Sequence, residues 1–201
     1  MNKDVIIDRV SEILKETPSA EDIVKDGPNR DRRFHYLATH MVNKALKKDA
    51  LVLSENGMGI AILFKTNKRD SSLWNDIFQE LGLVYNVTGI KNALKILKSQ
   101  KYIKNQRPQE GDYLYCWFWG IVQGNRGADT QIGKEMKDEF LRRADLYNIP
   151  LYAETRIRKN VVVYKRFGFE LFNTWKRPEG GDMWFLRYVP NALKEKQEKS
   201  K

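Results

Sequence analysis

The order of apolar and polar positions divides this chain into elements before any motif is considered. Val5, Ile6, Val10, Ile13 and Leu14 recur at helical spacing over residues 4–15, and "TPSAED" breaks the run. From "GPNRD" onward, Phe34, Leu37, Met41, Ala45 and Leu46 share one side of a second helix. The pair predicts a cover layer with one buried and one charged face. "LVLSENGMGIAILF" holds β-rich runs on both sides of Asn56-Gly57, a strong local signal for a hairpin of two antiparallel strands. Helical spacing returns with Leu73, Trp74, Ile77, Phe78 and Leu81, then with Ile90, Leu94 and Leu97, separated by a turn near Val87-Thr88-Gly89.

"YLYCWFWGIV", residues 113–122, is apolar or aromatic at both parities, as a strand covered on both faces requires. It is the expected central strand. The polar loop "QGNRGADTQIG" follows, and Ile132, Met136, Phe140, Ala144 and Tyr147 then mark an amphipathic helix. "IPLYAE" reads as a strand, residues 158–167 as a short helix, and "FELFNTW" and "DMWFLRY" as strands flanking the turn "KRPEGGD". The charged tail, residues 191–201, is expected to fray. With no repeat and no interior linker, the expectation is a single α/β domain over residues 1–190, with 71–105 as a helical insertion. Its sheet should be mixed (α+β), strongly twisted and of about six strands, with helices on both faces.

Composition narrows the class. An apolar fraction of 41% with 11% aromatics excludes a disordered chain. A formal charge of +10 predicts attraction for anions such as phosphates, nucleic acid or acidic lipid. Cys116 is the single cysteine, so no intrachain disulfide can form, and the first residues hold no apolar signal core. A cytoplasmic location is expected. The longest apolar stretch, Tyr113 to Val122, is about half the ~20 residues of a membrane-spanning helix, so no span is expected. His35 and His40 could line an acceptor pocket, but two histidines and one distant cysteine make no metal motif.

A strand, a loop of main-chain N–H groups at a helix N-terminus, and a second strand together describe a phosphate site. The later helix is more specific. Asn160, Tyr164 and Phe167 fall at i, i+4 and i+7, while Val161, Val162 and Val163 are poor helix formers, which suggests that burial holds the segment. Gly168 supplies the positive φ of a helix stop, and Phe169 starts the next strand.

With Asn160, Tyr164, Gly168 and Phe169 at these spacings, the chain resembles the GNAT superfamily of acyl-CoA N-acyltransferases, in particular bacterial members with extra helices before the central strand. The resemblance covers residues up to about 189. It implies an acyl-CoA wedged between two splayed parallel strands, 113–122 and 150–154, and transfer of an acetyl or similar acyl group to a primary amine of a small molecule or protein. Tyr164 matches the family's general acid, which protonates the departing thiolate. Asn160 would hold the pantetheine arm, and a main-chain N–H near Ile121 or Val122 would meet the developing oxyanion. Glu154 is the candidate base, with a salt bridge to Arg156, Arg158 or Lys159 as its plainer role.

The family's glycine-rich pyrophosphate loop is carried onto Gln123 and onto Ala128, Asp129, Thr130, Gln131, Ile132 and Gly133, where only the last glycine matches. Asp129 adds negative charge beside a diphosphate, and Lys134, Arg126 and Lys159 are the candidate compensating cations. Two rivals come from other classes: an acyl-CoA binding or sensing protein without turnover, and a basic nucleic-acid-binding module. For the latter, Tyr113, Tyr115, Trp117 and Trp119 would form a stacking platform, but the apolar residues between them favour packing. Lys91, Lys95, Lys98, Lys101 and Lys104 form a stripe best read as a solvated helix face. The reading admits a homodimer.

Overall fold

The computed structural model describes residues 1–67, 87–88, 90–127 and 131–199. The helix expected around Leu73 to Leu81, and Ala128, Asp129 and Thr130 of the loop, lie outside the described residues.

Helix α1 (Lys3–Lys15) begins where the Asn2 side chain accepts the Asp4 N–H at 3.2 Å, and it buries Ile6, Val10, Ile13 and Leu14. The segment read as a break holds a further short helix, α2 (Pro18–Ile23), with proline at its first position, where a missing N–H costs no bond. α3 (Arg30–Lys47) buries Phe34, Leu37, Met41 and Ala45 as expected, but Leu46 is exposed. β1 (Leu51–Leu53) and β2 (Gly59–Asn67) form the antiparallel hairpin. Its turn is longer than the two residues Asn56-Gly57, because Asn56 Oδ1 accepts from both Ser54 Oγ and the Met58 N–H.

α4 (Ile90–Asn105) leads to β3 (Asp112–Ile121), α5 (Ile132–Tyr147) and β4 (Leu151–Thr155). α6 (Arg158–Arg166), β5 (Glu170–Lys176) and β6 (Asp182–Tyr188) follow. The tail expected to fray instead forms α7 (Asn191–Lys199), with Lys194 3.6 Å from Glu170.

The sheet has six strands in the order β1-β2-β3-β4-β6-β5. Among the described strands, only β3 and β4 pair in parallel. α1 and α3 pack with Ile60, Ile62, Tyr113 and Tyr115 on one face, while α5 and α6 pack with Leu114, Cys116 and Leu151 on the other. Helices therefore cover both faces. α1 lies very close to the sheet: a Cβ built on Gly120 would stand 2.2 Å from Ile13 Cγ2.

One irregularity shapes everything downstream. Ile62 pairs with Phe118 and Leu63 with Cys116, so Trp117 is an extra residue, a β-bulge. The alternation of side chains slips with it. Tyr113, Tyr115, Trp117 and Phe118 meet the α1 and α3 layer, whereas Leu114, Cys116, Trp119 and Ile121 meet the opposite one. The four aromatics read as one row are divided between two faces, which leaves no stacking platform on β3.

Candidate active site

Parallel pairing between β3 and β4 runs through Leu114 with Leu151, Tyr115 with Tyr152 and Cys116 with Ala153, and ends there. The bulge at Trp117 comes next, and a bulged strand bends and twists away from its neighbour. The two strands splay into a cleft of about 420 Å³. Cys116, Trp119, Asn160 and Tyr164 line it from the α6 side, and Tyr115, Trp117 and Glu154 from the other. Residues of α2, α3 and α4, among them Ile23, Met41 and Gln100, roof that second side. His35 and His40 do not line the cleft. Leu37 and Met41 represent α3 there, and His35 sits 3.3 Å from Asp8.

The spacing of Tyr164 and Gly-Phe has a mechanical explanation. Gly168 (φ +87°) donates its N–H to the Lys165 carbonyl, and the Phe169 N–H reaches the Tyr164 carbonyl, both at 3.0 Å. This is the Schellman pattern, completed by the aromatic contact of Phe169 with Tyr164. Tyr164 is thereby held at the third position from the end of α6. Trp119 clamps its ring from the sheet side, with centroids 5.8 Å apart. Of the three valines expected to be buried, only Val161 is; Val162 is 49% exposed, so α6 is held by one edge and its C-cap.

Asn160 lies one turn before Tyr164 at the cleft wall, its amide 3.4 Å from Thr155 Oγ1. The same hydroxyl accepts the Ile157 N–H, which joins the end of β4 to the start of α6. The Tyr164 hydroxyl meets the Cys116 thiol. Burial, then the Cys116 and Glu154 charges, push the phenol well above its ordinary value. Burial, then Glu154, push the Cys116 thiol up to about 12. Both groups are protonated at neutral pH.

Glu154 does not pair with Arg156, Arg158 or Lys159. Its Oε1 accepts from the Tyr115 hydroxyl at 2.5 Å and faces Arg107 Nη2 at 3.4 Å. The Arg107 guanidinium lies 3.5 Å above the Tyr115 ring, and its side chain is only 3% exposed. Burial, ahead of opposing charge effects, pushes the Tyr115 phenol well above its ordinary value. The pattern analysis missed Arg107 because "QRPQEGD" carries only a helix-stop signal. Arg156 turns instead to Asp22, 2.6 Å away.

Main-chain directions separate the two oxyanion candidates. The Val122 N–H is spent on the Met58 carbonyl at 3.0 Å. In antiparallel pairing, successive residues address opposite sides, so Ile121 and Trp119, at the wide positions opposite Gly59 and Ala61, direct their N–H groups away from β2 and toward the gap. Arg126, expected to offset phosphate charge, donates to the Ile121 carbonyl and pairs with Glu16. Gln123 is exposed just after β3, and Gln131 adopts a left-handed conformation immediately before α5. Ile132 is buried, and Lys134 is exposed in the first turn beside Gly133. The residues fit an acyl-CoA: strand amides directed toward a gap, a buried phenol at its wall, and the α5 N-terminus against Gly59, opposite Ile121 at the end of β3 and outside the cleft lining itself.

No protein-family model matches the chain, and no curated protein matches it. Solved structures do. An arylalkylamine N-acetyltransferase 2 from Aedes aegypti aligns with TM-score 0.65 at 13% identity, covering 94% of each chain. A protein described as histone acetyltransferase HPA2 and related acetyltransferase, from Corynebacterium glutamicum, aligns with TM-score 0.64 at 14% identity, over 94% of this chain and 91% of that one. A polyamine N-acetyltransferase from Drosophila melanogaster gives 0.61 at 12% identity, over 92% and 93%. These neighbours are acetyltransferases, and across nearly its whole length the chain has a GNAT-like acyl-CoA N-acyltransferase fold.

Proposed function

We propose that this protein transfers an acetyl or similar acyl group from acetyl-CoA to a primary amine. The observation that carries the reading is the end of β3 and β4 pairing at Cys116 and Ala153, with Asn160 and Tyr164 at the wall of the gap so formed. Acetyl-CoA supplies the thioester. Asn160 and the β3 amides hold its arm, and the α5 N-terminus with Gln131, Gly133 and Lys134 receives its phosphates. The Ile121 or Trp119 N–H meets the oxygen charge that develops at the carbonyl.

An N–C bond forms as the C–S bond breaks. The amine proton passes to Glu154, directly or through water, and Tyr164 gives its proton to the sulfur. A phenol with a raised pKa is a reluctant donor to an ordinary thiolate, whose conjugate acid titrates near ~8.5. Burial also pushes the neighbouring Cys116 thiol up, to about 12, so desolvation at this wall raises a thiol as well as a phenol. A departing thiolate desolvated in the same way would be a stronger base for Tyr164 to protonate.

Calorimetric titration with acetyl-CoA, followed by a turnover assay across an amine panel, tests the proposal. Saturable heat with thiol release supports it. Saturable heat without turnover on any amine would leave an acyl-CoA sensor, and no heat at all would remove both readings.

A further inference from the structure

Glu154 stands one residue past Ala153, the last position at which β4 pairs with β3. Tyr152 pairs with Tyr115, and alternate residues of a strand share a face, so Glu154 projects on the face that carries this tyrosine pair. A long acidic side chain at the rim of a gap has several rotamers open to it and stays in one only if something holds it. Two groups do. The Tyr115 hydroxyl donates to Glu154 Oε1 at 2.5 Å, and Arg107 Nη2 faces the same oxygen at 3.4 Å. Both anchors therefore act on one oxygen, while Oε2 accepts no hydrogen bond among the described residues and is not sealed from the cleft. The anchors themselves are withdrawn. Arg107 is 3% exposed, does not line the cleft, and lies 3.5 Å over the Tyr115 ring; Tyr115 reaches the wall with its hydroxyl already spent. Burial holds the Tyr115 phenol well above its ordinary pKa, so it remains a donor at neutral pH.

We propose that Tyr115 is a positioning residue of the transfer reaction: its hydroxyl, backed by the guanidinium stacked on its ring, fixes Glu154 Oε1 and so presents Oε2 to the acceptor amine. This rests on the acyl-transfer reading in which Glu154 takes the amine proton. The N–H bond that breaks on the amine gives its proton to Oε2, and the Tyr115 proton stays on its own oxygen throughout. The gain is orientation: a base held in its productive rotamer is ready before the amine arrives.

Tyr115→Phe keeps the ring beneath the Arg107 guanidinium and removes only the hydroxyl, so the fold should survive it. Initial rates are measured with acetyl-CoA and the amine that the wild-type protein turns over fastest, each preparation being normalised to its acetyl-CoA binding stoichiometry from calorimetry. In Tyr115→Phe, kcat should fall about tenfold or more with the Kd for acetyl-CoA unchanged. In a Glu154→Gln background the same change should have no further effect on the residual kcat, because the hydroxyl acts only through the carboxylate. Full kcat in Tyr115→Phe or in Glu154→Gln would overturn the proposal, and so would an equal loss from Tyr115→Phe in both backgrounds, the mark of a merely structural role. Wild-type protein that turns over no amine would overturn the acyl-transfer reading and this proposal together, an outcome read without any variant and so distinct from the others.

Discussion

The Phe169 N–H donates to the Tyr164 carbonyl at 3.0 Å, and the two rings lie 5.0 Å apart. The helix cap and the candidate acid are therefore one construction. Gly168, between them in sequence, holds φ at +87°, which costs an L-residue about 1–2 kcal/mol. Gly168→Ala should lower stability by that amount, moving Tm down by roughly 2–8 °C for a chain of this size, as thermal unfolding would show. It should also lower kcat, because the cap sets the position of Tyr164.

Tyr164→Phe keeps the ring contacts with Trp119 and Phe169 and removes only the hydroxyl. Stability should change little, while kcat should fall by about 10²-fold or more if the phenol is the general acid. An unchanged rate on the preferred amine would exclude it from proton transfer.

Alkaline pH should destabilise the fold by a predictable route. Cys116, Tyr115 and Tyr164 all bind their protons more tightly folded than unfolded. Their stabilisation is thus complete below the unfolded values, near 9 for the thiol and 10 for the phenols, and is lost as pH rises, over 9 to about 12 for Cys116. Each contributes a slope of about 1.4 kcal/mol per pH unit within its window. Urea unfolding between pH 8 and pH 10 measures this, and Cys116→Ser should remove the part that starts first.

Gly120→Ala places a methyl where Ile13 Cγ2 already stands. An overpacking cost of about 1–3 kcal/mol is expected. The double variant with Ile13→Ala should lose less than the sum of the two single losses, which a double-mutant cycle would detect.

Glu154→Gln removes the carboxylate facing the buried Arg107 and should cost about 3 kcal/mol. Adding Arg107→Met should restore much of that stability. If Glu154 also takes the amine proton, the rate will not return with it; recovery of rate together with stability would make Glu154 a structural residue.

The legible parts of this molecule were those written in local pattern. Amphipathic spacing placed α1, α3 and α5, and "DMWFLRY" gave β6 with its full extent. Gly168 and Phe169 marked the helix stop, a short-range device, while the cleft followed only from the resemblance that Asn160, Tyr164, Gly168 and Phe169 carry. Long-range pairing was not legible. Arg107 and Glu154 are 47 positions apart, and nothing in either neighbourhood announces the other. Arg177 likewise falls in "KRPEGGD", read only as a turn, while its buried side chain pairs with the distant Asp22. α2 was missed because Pro18 reads as a breaker, although it is also a favoured first residue of a helix.

Trp117 is a single surplus residue in a strand, yet it makes β3 two strands in effect: one that zips to β4 and one that turns its back on it. Removing Trp117 would leave Phe118 opposite Ile62 and Cys116 opposite Leu63, each on its present face, and would take away only the local bend that parts β3 from β4. One surplus residue thus governs the opening beside the strand and leaves the assignment of faces untouched.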